Sequence, residues 1–473
     1  MKNTYLAVDI GASSGRHIIG SVENHKIRLQ ETYRFTNGVH EVHGHLCWDM
    51  DHLRDSVIRG IKASIDAGFS PKTMGIDTWA VDFVLLDENR EVLGDTVAYR
   101  DQRTNGIRDQ LERDGIITFQ ECYSRTGIQY QKFNTIYQLL AIKREHPEYL
   151  EHAKYFLMVP DYLNYILTGV MMNEYTNASS TGLVSAESKN WDLELIRKIG
   201  LPEEIFLPIQ MPGTVVGELL PDIQKETGAS LQVILPATHD TGSAFLAVPA
   251  RDDNAVFISS GTWSLLGVEN QKAITSMESC RENFTNEGGY EYRFRYLKNI
   301  MGLWMFQNAK KEIDAKLPEG ETASFKELQD KADGYDLDVL VNVDDDRFLA
   351  PESMLLEVRK ASQEQGVELP QDDEAVLNVI FRSLAADYAA AVKKLEQLTG
   401  KTYTAVNIVG GGSQNTYLNA LTAKYTGLPV YAGPTEGTAL GNLIVQFIHD
   451  GVFQDLSEAR AAIADSFDIK EYS

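Results

Sequence analysis

Leu6-Ala7-Val8-Asp9-Ile10-Gly11-Ala12-Ser13-Ser14-Gly15-Arg16 sets the reading of the whole chain. An apolar run leads straight into an acid, then into a turn of small and hydroxyl residues. The chain becomes apolar again at Ile18 and Ile19. This pattern predicts a β-hairpin with an open tip. Gly11 and Gly15 carry no Cβ, so backbone N–H groups there can point at oxygens. Ser13 and Ser14 add hydroxyl donors, and Arg16 adds a forked cation. Such a tip suits phosphates, and Asp9 beside it calls for a divalent cation, magnesium, between acid and phosphate. It is not a Walker loop: the chain has no G-x-x-x-x-G-K-[ST], and no G-x-G-x-x-G follows a strand here. Taken alone, the tip also reads as a glycine-containing hairpin of any α/β protein.

A second copy weighs against that plainer reading. Ala255-Val256-Phe257-Ile258-Ser259-Ser260-Gly261-Thr262-Trp263-Ser264-Leu265-Leu266 again runs from an apolar strand through Ser-Ser-Gly into an apolar strand. Both copies continue Val-Glu-Asn, at 22–24 and 268–270. Two such hairpins opening two halves predict a duplicated architecture that clamps a nucleotide. The 473 residues suffice for two or three domains. The polar stretch Val248-Pro249-Ala250-Arg251-Asp252-Asp253-Asn254 marks the boundary, giving halves 1–247 and 248–473.

The formal charge of −24 argues against nucleic acid and anionic membranes as partners. Cys47, Cys122 and Cys280 are far apart and lack metal spacing, so free thiols and a cytoplasmic location are expected. Met1-Lys2-Asn3-Thr4 leads directly into the first strand, and no signal peptide is expected. No apolar run is read as long enough to span a bilayer.

Further strand ends carry polar residues. Ala405-Val406-Asn407-Ile408-Val409 ends in Gly410-Gly411-Gly412, followed by a helix from Thr416. Glycines there let a flat group such as an adenine approach the backbone; a loose loop is the alternative. Residues 373–398 carry apolar positions at helical spacing and predict a long core helix stopped by Gly400, and 438–449 predict another. Asp77-Thr78-Trp79 and Asp82 make either a polyol pocket or turn residues. Tyr99-Arg100-Asp101-Gln102-Arg103-Thr104 is either a similar polar knot or a salt-linked loop. Ile234-Leu235-Pro236-Ala237-Thr238 delivers His239-Asp240-Thr241 to a strand end. Phosphoryl transfer to an alcohol needs a carboxylate that accepts the hydroxyl proton, which Asp240 suits; Asp240 also suits a helix N-cap. His40, His43 and His45 look metal-rich, but alternation splits them between faces, and Asp49 reads as the start of the next helix.

In this order, these motifs resemble the FGGY carbohydrate kinases. They run from the strand ending Asp9-Ile10-Gly11 through Gly75-Ile76-Asp77-Thr78-Trp79, Tyr99-Arg100-Asp101 and His239-Asp240-Thr241. Ser259-Ser260-Gly261-Thr262-Trp263-Ser264, Lys298-Asn299-Ile300-Met301-Gly302-Leu303-Trp304 and Gly410-Gly411-Gly412 follow. The resemblance spans about Tyr5 to Gln446. It is greatest to the members that phosphorylate L-rhamnulose. It implies a duplicated actin-like ATPase (ribonuclease H-like) α/β fold of two domains with ATP in the cleft between them. It also implies transfer of the γ-phosphate to the C1 hydroxyl of L-rhamnulose, releasing ADP. On the family's pattern, Ala12, Ser13, Ser14, Gly15 and Arg16, with Thr262, Gln307 and Gly411, contact ATP. His239, Asp240, Thr241 and Asn299 contact the sugar, with Asp240 as the base, and Asp9 holds magnesium through water. The family commonly has Gly where this chain has Ala80, whose methyl group is either tolerated beside the sugar or tightens the pocket. Kinases for L-fuculose or xylulose, and a non-catalytic sugar or nucleotide sensor on the same fold, are the rival readings. Monomer and homodimer both stay open.

Overall fold

The computed structural model describes residues 3–473; Met1 and Lys2, which begin the stretch expected to hold no signal peptide, lie outside the described residues. The chain forms two compact units. The first comprises Met1–Ala247, Glu269–Tyr296 and Thr438–Ser466; the second comprises Val248–Val268, Leu297–Gly437 and Phe467–Ser473. Relative to one cut at 247/248, two segments, 269–296 and 438–466, therefore cluster with the first unit. For the second segment the reason is polar as well as apolar. Gln446 donates to the Leu6 carbonyl at 3.0 Å and accepts from Thr73 Oγ1 at 2.7 Å, tying its helix to two strands of the first unit.

The first unit is built on a six-stranded sheet in the order Val215–Glu218, Gln232–Ile234, Pro71–Thr78, Thr4–Ile10, Ser14–Glu23, Lys26–Thr36. Thr4–Ile10 and Ser14–Glu23 form the expected antiparallel hairpin, pairing Asp9 with Arg16 and Ile10 with Gly15. Thr4–Ile10 also pairs in parallel with Pro71–Thr78, which sets Asp9 beside Asp77. Every residue of Thr4–Ile10 and all but Lys72 of Pro71–Thr78 are buried. The near-continuous apolar runs are what a strand covered on both faces requires. The helix Met50–Asp66 adds Leu53, Val57 and Ile61 to the same core as Leu6, Val8 and Ile76. Asp49 caps that helix, accepting from the His52 N–H at 2.8 Å. Just before it, His43 sits in the turn between Val39–Val42 and His45–Trp48 at φ 50°, not on a strand face shared with His45.

In the second unit, Ala255–Ser260 pairs antiparallel with Ser264–Asn270 over Phe257 to Ser264, and in parallel with Ala405–Val409. Val430–Ala432 and Lys470–Tyr472 extend the sheet. The long helix runs from Asp373 to Thr399 and ends at Gly400 with φ 68°, the left-handed stop that glycine takes at least cost. It holds an 18-residue stretch apolar and long enough to cross a bilayer, contrary to the sequence reading, and 78% of that stretch is buried within the protein. Packing on several sides, rather than lipid, accounts for that apolarity.

Candidate functional site

In the first unit three carboxylates converge because their strands are in register. Asp9 and Asp77 are parallel-sheet neighbours, and Thr78 N–H donates to the Thr238 carbonyl at 2.9 Å, which sets His239-Asp240 beside the same strand end. Asp9 Oδ2 accepts from Arg16 Nη2 at 2.9 Å and Nε at 3.0 Å. Asp77 is fully buried; its Oδ2 accepts from Asn442 Nδ2 at 2.6 Å, while its Oδ1 has no hydrogen-bond partner among the described residues. Burial, then the Asp9 and Asp240 charges, raise the Asp77 carboxyl well above the usual range.

Asp240 opens the short helix Asp240–Leu246, with His239 in the capping position. Its Oδ1 accepts from Thr241 Oγ1 at 3.1 Å and from the Thr241 N–H, so the carboxylate does not reach further along the helix as a cap would. Its Oδ2 accepts no hydrogen bond from the described residues. The side chain is 34% exposed, so water or a ligand reaches one side of the carboxylate. Burial of the rest, and then the Asp9 charge, push its carboxyl up to about 6. A carboxylate with a free oxygen and raised basicity can accept a proton from an alcohol. His239 and Thr241 beside it are both buried. The backbone before them is pinned by Glu174, fully buried, which accepts from Thr238 Oγ1 at 2.6 Å and Thr238 N at 3.2 Å.

The hairpin tip differs from expectation in its glycines. The Gly11 N–H closes the turn onto the Ser14 carbonyl at 2.9 Å, so it is not a spare donor. At Gly15 a Cβ would lie 2.2 Å from the Phe35 ring, so packing, not openness, requires glycine there. Ala12 is partly buried, Ser13 is exposed, and the Ser14 side chain begins the outgoing strand. Ala80 is partly buried in a tight bend. Val81 follows at φ 70°, a strained conformation for a β-branched residue, held by Thr135 Oγ1 donating to its carbonyl at 2.7 Å.

Of the two readings for Asp82, the structure takes the structural one. Asp82 Oδ2 accepts from Trp48 Nε1 at 2.6 Å, Trp79 Nε1 at 2.9 Å and Tyr99 N at 3.1 Å, and its Oδ1 from Gln138 Nε2 at 2.9 Å. Trp79 is spent in that knot, tilted on Trp48 with ring centroids 4.1 Å apart. Asp101 is likewise a loop clasp, accepting from Leu46 N at 2.9 Å and Arg103 N at 2.8 Å.

The second unit gathers three more of the expected residues near the end of Ala255–Ser260. Thr262 lies exposed at the hairpin tip, and its carbonyl accepts from the Trp304 N–H at 3.0 Å. That bond anchors the helix Trp304–Asp314, which carries Gln307 in its first turn. Gly302 permits the contact: a Cβ there would meet Trp263 C at 2.5 Å and Ser264 N at 2.6 Å. Gly411 is exposed in the turn after Ala405–Val409, whose neighbour Gly412 lies where a Cβ would meet Ser260 Oγ at 1.9 Å. Asn299, in Phe294–Ile300, is partly buried.

Sequence reading missed Arg295, Glu287, Glu174 and Asn442 as site neighbours. The signal for Arg295 was an arginine between Phe294 and Tyr296 on a strand otherwise apolar at its start; the others carried none without the fold.

Residues 4–247 match the FGGY family of carbohydrate kinases, N-terminal domain, and residues 256–449 match its C-terminal domain. A rhamnulokinase of Oceanobacillus iheyensis is 47% identical over 473 residues, covering 100% of this chain and 99% of the relative. A rhamnulokinase of Bacillus subtilis is 40% identical, covering 99% of this chain and 95% of its own. Among known structures, gluconate kinase from Lactobacillus acidophilus superposes with TM-score 0.81 at 16% identity, covering 100% of this chain and 94% of that one. Plasmodium falciparum glycerol kinase with ADP gives 0.79 at 13%, covering 99% and 94%. The two-domain α/β fold is shared with these kinases, in keeping with the expected actin-like architecture. Both halves of the sequence and the whole length of the fold thus agree: the chain belongs to the FGGY family of carbohydrate kinases.

Proposed function

We propose that this kinase transfers the γ-phosphate of ATP to the C1 hydroxyl of L-rhamnulose, giving L-rhamnulose 1-phosphate and ADP in rhamnose breakdown. The observation that carries the reading is likeness over essentially the whole chain, at 38% to 47% identity, to relatives named rhamnulokinase. The sugar oxygen forms the new bond to phosphorus, the bond to the ADP oxygen breaks, and the hydroxyl proton passes to Asp240. Its free Oδ2 and raised basicity support that role. His239, Thr241, Asn299 and Ala80 bind the sugar. Ala12, Ser13, Ser14, Gly15 and Arg16, with Thr262, Gln307 and Gly411, bind ATP.

The residues present fit a hydrated magnesium ion. Asp9 and Asp77 lie side by side, and Asp77 keeps a buried oxygen with no hydrogen-bond partner among the described residues, so hard oxygen donors of the kind a divalent cation takes stand together there. Asp9 would hold the ion through water, and the ion when bound would neutralise phosphate oxygens. Cys47, Cys122 and Cys280 are free thiols, which suits a reducing cytoplasm.

The test is ADP release, coupled to an optical assay, with ATP, magnesium and a panel of L-rhamnulose, L-fuculose and xylulose. L-rhamnulose is expected to give the highest kcat/KM. A higher value for another ketose would replace the substrate, and absence of turnover with every sugar would remove the reading.

A further inference from the structure

Arg295 is fully buried in the first unit, at the start of the strand Phe294–Ile300. Its Nε donates to the Gly288 carbonyl at 2.9 Å, its Nη1 lies 3.1 Å from Glu287 Oε2, and its Nη2 lies 3.0 Å from His239 Nδ1. A guanidinium has only donors and stays protonated in proteins. The contact with Nδ1 is therefore a hydrogen bond only if Nδ1 carries its lone pair, and the proton of the neutral ring then resides on Nε2. On that side Asp240 Oδ1, an acceptor, lies 3.5 Å away. Among the described residues, Glu287 Oε2 is the neighbour that favours the opposite form. It lies 3.5 Å from Nδ1, against 3.0 Å for Arg295, and is ion-paired with Arg295 Nη1 at 3.1 Å without a hydrogen bond between them. The same contact opposes the imidazolium, whose Nδ1–H would face a guanidinium N–H. Burial, and then the Arg295 charge, hold His239 well below the usual histidine range, in agreement with that geometry.

We propose that Arg295 is a positioning residue: it commits His239 to the Nε2–H form, so that a neutral, fixed donor stands beside Asp240 and faces a sugar oxygen. This rests on the proposed reading of His239 as a sugar contact. The charged and titratable groups around the pair are Asp240, Glu287, Glu174 and Tyr175, the last two acting on the guanidinium from the segment that packs behind it. A neutral donor orients a hydroxyl without handing Asp240 a competing proton, which an imidazolium at that distance would do.

The test uses the full-length enzyme labelled with 15N at histidine. The His239 signal is assigned by its loss in His239→Gln, and long-range proton–nitrogen correlation reads its tautomer at pH 7. A protonated Nε2 and bare Nδ1 are expected; an Nδ1–H or doubly protonated ring overturns the proposal. In steady-state assays with ATP and L-rhamnulose, Arg295→Met is expected to raise the ketose KM about tenfold or more, the scale of one lost positioned hydrogen bond. It should leave the ATP KM within about twofold. Arg295→Lys, which keeps a donor-only cation, should retain the tautomer and recover most of the ketose KM. An unchanged ketose KM and tautomer in Arg295→Met also overturn the proposal; if that variant does not fold, the wild-type spectrum decides alone. An Nε2–H ring in an enzyme that phosphorylates no ketose would remove the substrate reading and keep the tautomer assignment. Ketose turnover with an Nδ1–H ring would do the reverse.

Discussion

One oxygen of Asp240 is tied to Thr241 while the other accepts nothing from the described residues, and that asymmetry separates a base from a helix cap. Asp240→Asn keeps the shape and removes the proton acceptor, so kcat is expected to fall by at least about two decades while the thermal midpoint at pH 7 is not lowered. Stopped turnover assays and a melting curve check both halves. The carboxyl, pushed up to about 6 first by burial and then by the Asp9 charge, works only when ionised. The kcat/KM for the ketose should hold above pH 6 and drop about tenfold per pH unit below it; a flat profile to pH 5 would count against the role. Asp77 predicts the opposite balance between function and stability. Its carboxyl is raised in the fold, first by burial, so the folded state binds a proton that the unfolded chain releases at ordinary aspartate pH. Stability is therefore lost as pH rises through that window. Asp77→Asn, which can still accept from Asn442, should melt higher than wild type at pH 7 and show little gain at pH 4. His239-Asp240-Thr241 was legible because an apolar run leads into it, although the strand itself stops at Ile234 and residues 235–238 are irregular. Asp77 and Asp82 were not separable by sequence, because four donors from Trp48, Trp79, Tyr99 and Gln138 decide the matter for Asp82.

Among elements, the two hairpins were the most readable features, since apolar runs around short small-residue turns leave few alternatives. What their glycines are for was not readable. Gly15 is dictated by the Phe35 ring, and Gly302, far along the chain, by the backbone of the second tip. Because Gly302 meets backbone atoms rather than a movable side chain, Gly302→Ala must displace the tip that carries Thr262. The expected outcome is an ATP KM raised about tenfold or more with the ketose KM little changed, measured by varying each substrate separately. Gly441 makes the corresponding case for the fold. A Cβ there would lie 1.7 Å from the Ser243 carbonyl oxygen. Gly441→Ala should cost about 3 kcal/mol or more in denaturant unfolding, at the upper end of overpacking effects.

At the scale of the whole molecule, the formal charge of −24 makes the compact state repel itself. Moderate salt screens that repulsion, so the melting temperature should rise between low and physiological ionic strength; a fall would mean that the surface ion pairs matter more than the net charge. Duplication was visible in sequence through the repeated tips. The path of the chain was not, because Asn442 and Gln446 look like ordinary polar positions on an apolar helix until Asp77, Thr73 and Leu6 supply their partners. That path has a consequence for biosynthesis. The first unit draws on residues as late as Ser466, so the first 247 residues emerge from the ribosome without the helix that donates to Asp77 Oδ2 or the arginine that faces His239. At about 5–20 residues per second, the nascent half waits roughly 10–40 s for its missing pieces. During that interval a chaperone, rather than the native core, has reason to cover its apolar strands.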